Sequence, residues 1–162
     1  MFHQKEGEQG CLLRAAASVF LSMGKQALAN ELGSLAEAKE DKHHDWDKLK
    51  KTVRKHLPHH QLQGLNCQFD VLSEHDNEKY EGMVFVLHGN DGGTTHAVGC
   101  SKGVVYDANI EKGMRMCRET LDHCCSGPQR KCKFLGITRG VAVIDRSSKK
   151  KGKKEKKTKK DR

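Results

Sequence analysis

Aromatic residues make up only 5% of the sequence, and no apolar stretch approaches the length a membrane span needs. The opening segment, MFHQKEGEQG, holds no apolar run, so it does not read as a secretory signal. No CxxC pair occurs among the seven cysteines, and their odd number argues against a closed disulfide framework. Without export, these cysteines are expected to be reduced thiols in a cytoplasmic or nuclear protein. The scarcity of aromatics argues against a stacking platform for nucleic-acid bases. Internal repeats are absent.

What the chain does contain is unevenly spread. Charged residues make up 31% of its 162 residues, with a net charge of +9. From Ser147 to Arg162, nine Lys and one Arg stand against Glu155 and Asp161, a net of +8, so everything before Ser147 sums to about +1. Residues 1–146 are therefore expected to form one nearly neutral folded domain, followed by a lysine-rich tail over 147–162. The tail lacks the apolar residues that would offset the entropy of ordering, so disorder is expected there. Its lysines over 149–160 would suit non-specific contact with nucleic-acid phosphates, a nuclear localisation signal or a solubilising end.

Along the domain the hydrophobic period changes. Leu12, Ala16, Val19, Phe20, Met23 and Ala27 recur at helical spacing from Cys11 onward, with Gly24 a candidate helix end. Leu28, Leu32 and Leu35 continue the period, and Ser34 with Glu37 reads as a capping box for a fresh turn. After a polar break over Glu40–His44, Asp45 predicts a helix with Trp46, Leu49, Val53 and Leu57 inward, ended by Pro58. Strand character follows. A short strand is expected over Leu65–Leu72 and a buried central one over Met83–Leu87. His96–Cys100 and Val104–Ala108 flank a hairpin turn with Gly103, and Phe134–Thr138 and Val141–Ile144 flank a second at Arg139–Gly140. A short helix is expected over Arg115–Cys125. Helices first and a mostly antiparallel sheet after them predict an α+β domain.

One set of residues has the makings of nucleophilic chemistry. A thiol reacts as thiolate, and both a helix N-terminus and an adjacent imidazolium stabilise that form. Cys11 stands where the leading loop meets the first helix. A two-residue turn at Lys102–Gly103 would set His96 opposite Asn109 and make Asp107 its diagonal neighbour on the same face. Either acid or amide could then hold the imidazole in the tautomer a general base requires. The Cys11 N–H would donate to an oxyanion, and Gln4 and Gln9 could each supply a side-chain amide beside it. Gly92 and Gly93, next to His96, would let a substrate backbone approach closely.

The order Gln…Cys and amphipathic helix, then His96-Ala-Val and Val-Tyr-Asp107 on successive strands, resembles the papain-like cysteine peptidase superfamily. Within it, the pattern is similar to the peptidase domains of bacteriocin-processing transporters over roughly residues 4 to 144. The resemblance implies a papain-like fold, with Cys11 as nucleophile, His96 as base, Asp107 as its orienter and Gln4 in the oxyanion hole. It implies a thiol hydrolase cleaving peptide or isopeptide bonds in a peptide or protein substrate, with no cofactor. Three other readings stand beside it. The first is a structural zinc site in the cluster Cys117, His123, Cys124, Cys125 and Cys132. The second is a nucleic-acid-associated protein anchored by its tail. The third is an inactive papain-like binding module. His43, His44, His59 and His60 read as solvated loop histidines.

Overall fold

The structure is a computed structural model that describes residues 10–37, 44–90, 96–108, 110, 112–126 and 132–146. Gln4, Gln9, Gly92, Gly93, Asn109 and the tail lie outside the described residues.

Among the described residues, three helices come first, α1 (Cys11–Ser22), α2 (Gln26–Ala36) and α3 (Trp46–His56). Gly24, at φ 76, supplies the left-handed residue that ends α1, as its position after Met23 predicts. Asp45 caps α3 by accepting a hydrogen bond from the Lys48 N–H at 3.1 Å. The capping box expected at Ser34 does not form. Ser34 lies inside α2, and the Glu37 N–H donates to its carbonyl at the helix end. The unbroken run of Leu28, Ala29, Leu32 and Ala36 against the core carries α2 through that position.

Six strands follow among the described residues: β1 (His60–Leu65), β2 (Tyr80–Gly89), β3 (Ala97–Ser101), β4 (Val104–Tyr106), β5 (Met114–Arg115) and β6 (Phe134–Asp145). They form one sheet in the order β1-β6-β2-β3-β4-β5, and every pairing is antiparallel. Two short helices, α4 (Val71–Glu74) and α5 (Arg118–Ser126), complete the fold. The architecture is α+β, as the element order predicts. On one face of the sheet, α1, α2 and α3 pack over Val84, Val86, Ala97, Val141 and Val143. On the other, Leu121, Cys124 and Cys125 of α5 and Val71 of α4 join Phe85, Leu87, Val98 and Ile144. Both faces of β2 are thus covered, so it reads as a continuous apolar run without alternation.

Three expected elements are corrected. The strand expected over Leu65–Leu72 lies earlier, in β1, and Val71 is already helical. The Asn66 and Asp70 side chains accept from the Gln68 and Leu72 N–H groups, and these local turns compete with the ladder. The hairpin expected at Arg139–Gly140 is instead the middle of β6. Gly140 pairs with Leu65 on one side and Phe85 on the other. A Cβ there would stand 2.9 Å from the Val84 carbonyl oxygen, so glycine serves a close approach of strands. The short helix expected over Arg115–Cys125 begins later, at Arg118, because Met114 and Arg115 pair with β4.

The first hairpin forms in the expected register. Ser101 pairs with Val104 and Gly99 with Tyr106. Lys102 and Gly103 take φ 51 and 75, the two positive angles of a type I′ turn.

Candidate functional site

Cys11 is the first residue of α1 and is buried, 4% exposed. Gly10 delivers the chain to it in the left-handed conformation, φ 97, with no room for a side chain: a Cβ would lie 2.9 Å from the carbonyl oxygen of Ala36 at the end of α2. The thiol therefore sits where the N–H groups of the first turn point out of the helix and its dipole favours negative charge.

His96 precedes β3, and its carbonyl accepts from the Leu87 N–H at 2.8 Å, which ties it to the central strand. Its Nε2 lies 2.6 Å from Oδ1 of Asp107, just beyond β4. Asp107 is 2% exposed. This is the diagonal relation that the Lys102–Gly103 turn predicts. With Nε2 engaged by the carboxylate, Nδ1 is the ring nitrogen left for Cys11. Burial by itself would push the His96 pKa down. Hydrogen bonding and charge from Asp107 and Cys11 outweigh it and raise the pKa to about 10. Burial likewise opposes the Cys11 thiolate. Hydrogen bonds from His44, His96 and the Ala97 N–H, with the nearby His96 charge, overcome it and lower the thiol to about 5. The arrangement favours a thiolate–imidazolium pair across the neutral pH range.

The structure thus brings together Cys11, His96 and Asp107 from three separate parts of the chain. It also brings in a residue the sequence reading set aside. His44 is not a solvated loop histidine: its Nε2 is 3.2 Å from Cys11 Sγ. His44 directly precedes the capping residue of α3, and its carbonyl accepts from the Trp46 N–H at 3.0 Å. Trp46 is buried against the α1 core, so the packing of α3 fixes the imidazole. A histidine flanking a helix cap was the signal available, but nothing in the sequence measures the distance across 33 residues. Cys124 is a second such residue. Its thiol is hydrogen-bonded to Asp107, and burial, reinforced by that carboxylate, pushes its pKa up.

The cysteine cluster does not gather as a set of metal ligands among the described residues. Cys124 faces Asp107, Cys117 contacts the Thr120 hydroxyl at 3.3 Å, and the Cys132 N–H donates to Ser126 Oγ at 3.1 Å. The described residues do bring His60, Glu81 and Asp145 together, with one ligand atom of each within 4.8 Å of the others. His60 is a β1 residue rather than a loop histidine, and its Nε2 is 3.3 Å from the Glu81 carboxylate. These three line a separate cavity of about 480 Å³ with His75, Asp76 and Lys102, and it shares no lining residue with the Cys11 site.

No protein-family model matches the chain, and a search of curated proteins finds no match either. Among the described residues no helix is long and apolar enough to cross a membrane.

Proposed function

We propose that the protein is a papain-like cysteine peptidase, a thiol hydrolase acting on a peptide or isopeptide bond of a peptide or protein substrate through Cys11, His96 and Asp107. The observation that carries this reading is the His96–Asp107 hydrogen bond of 2.6 Å beside a thiol at a helix N-terminus. In the proposed reaction the Cys11 thiolate adds to the substrate carbonyl. His96 gives its proton to the leaving amine and then takes one from water to release the acyl group. Asp107 holds the ring and stabilises the imidazolium. Gln4 remains the family-based candidate for the oxyanion hole, beside the Cys11 N–H.

The test is the pH dependence of Cys11 alkylation by iodoacetamide, followed by mass spectrometry against the other six cysteines. Selective labelling with a midpoint well below the ordinary thiol value of about 8.5, moved upward in His96→Ala, is the expected result. Labelling of Cys11 no different from that of Cys67 or Cys117 would leave an inactive binding module on the same fold as the better reading.

The lysine-rich stretch over 149–160 supports an accessory role: salt-dependent, sequence-independent contact with nucleic acid, or a nuclear address. With it goes a cytoplasmic or nuclear location. Deleting 147–162 is expected to abolish any nucleic-acid binding and leave Cys11 reactivity unchanged.

A further inference from the structure

The second imidazole on Cys11 has no part in the triad, and its position is set by the fold. His44 takes φ 53, a left-handed angle that non-glycine residues rarely adopt. Its neighbour Asp45 is fixed as the α3 cap, and Trp46 is pinned in the core, with Arg139 of β6 over its ring at 4.8 Å. The imidazole therefore reaches Sγ from the turn that leads into α3, while His96 reaches it from just before β3. A thiolate needs one base partner to be formed and to protonate the leaving group. A second nitrogen donor at 3.2 Å from sulfur has another use.

We propose that His44 donates its Nε2–H to the oxyanion of the tetrahedral intermediate, beside the backbone N–H of Cys11. This rests on the acyl-transfer reading above. When Sγ adds to the carbonyl carbon, the S–C bond forms and the C=O π pair moves onto oxygen. The negative charge thus shifts from sulfur to an atom attached to the same carbon. A donor already touching the sulfur follows that charge with little movement, and the N–H of Cys11, at the helix start, has no acceptor within the helix. No proton is transferred from His44. Collapse of the intermediate restores the C=O bond and expels the amine, which takes its proton from His96. His44 thus adds a side-chain donor on the α3 side of the oxyanion, besides the amide that the family resemblance assigns to Gln4.

The experiment compares two reactions of Cys11 in the full chain, both at pH 9, where the thiol is ionised. Acylation by p-nitrophenyl acetate passes through an oxyanion; alkylation by iodoacetamide does not. In His44→Ala the acylation rate is expected to fall by about 100-fold, with the alkylation rate changed less than several-fold. His44→Gln, which keeps a side-chain N–H, is expected to recover much of the acylation. A fall of both rates in equal proportion would assign His44 to thiolate stabilisation alone and overturn the proposal. So would no fall in either, or a His44→Gln variant no faster than His44→Ala. Circular dichroism and the alkylation rate itself establish that the variants fold. A wild-type Cys11 that is neither acylated nor selectively alkylated would refute the peptidase reading, a different failure from one confined to the variants.

Discussion

Asp107 shows how much of the site depends on single atoms. Its carboxylate is buried, and it accepts from His96 Nε2 on one side and the Cys124 thiol on the other. Replacing it with Asn keeps the shape and removes the charge that holds the His96 proton. The alkaline limb of a pH–rate profile reports on this. With Cys11 lowered to about 5 and His96 raised to about 10, hydrolysis is expected to rise as pH climbs through about 5, where the thiolate forms. It falls as pH passes about 10, where His96 loses the proton it gives the leaving group. Asp107→Asn should draw the alkaline limb downward and leave the acid limb near 5, narrowing the bell from one side, and should slow the plateau rate by about 100-fold. A profile with an unmoved alkaline limb would mean that Asp107 packs beside His96 without tuning it. The acid and the base were legible in the sequence because a two-residue turn fixes which residues share a face. His44 was not, because its approach to Cys11 depends on how α3 docks on α1, and docking leaves no local pattern.

At the scale of elements, α1 lies so close to the sheet that glycine is required beneath it. A Cβ on Gly99 of β3 would come within 2.2 Å of Val19 Cγ2 and 3.0 Å of the Ala15 carbonyl oxygen. Gly99→Ala is therefore expected to cost about 1–3 kcal/mol by forcing helix and strand apart, read from urea unfolding. Because α1 carries Cys11 and β3 follows His96, the same change should lower the alkylation rate of Cys11. Gly10→Ala acts at the other end of that helix, where φ 97 and the Ala36 carbonyl both oppose a side chain. It is expected to cost about 1–2 kcal/mol from the left-handed angle alone and to reduce Cys11 reactivity. Unchanged stability and reactivity would show that the helix start can shift freely. The starts of α1 and α3 were readable from apolar spacing and the Asp45 cap, whereas the break expected at Ser34 and the start expected at Arg115 were not those of the fold. The errors came where side chains or distant strands override local signals. Asn66 and Asp70 turn a stretch with strand-like composition, and Arg139–Gly140 has the composition of a turn but is held extended between two neighbours.

For the whole molecule, the sheet joins two halves of the chain. The helices lie on one face and α5 with α4 on the other, so the buried strands have no solvent-facing side. The α+β class with helices before an antiparallel sheet, and the nearly neutral charge of the domain against its basic tail, could be read from element order and composition; the cover of α4 and α5 on the second face could not. The strand order could not, since pairing partners far apart in sequence carry no periodic signature. Removing residues 147–162 is expected to leave the thermal unfolding midpoint within about a degree, given that surface changes away from the core are usually worth under about 0.5 kcal/mol. A large fall would place tail residues against the domain.

The last strand in sequence sits inside the sheet, between the first strand and the central one. All of Cys11, His44, His96 and Asp107 leave the ribosome before any of β6 does. Until Phe134–Asp145 arrives, β1 has no partner and β2 offers a bare edge of backbone donors and acceptors. The domain therefore cannot close progressively from its N-terminus. A nascent chain arrested before residue 134 should expose apolar strand, bind chaperones and keep its Cys11 unactivated, and one extended past 145 should acquire the low thiol pKa abruptly.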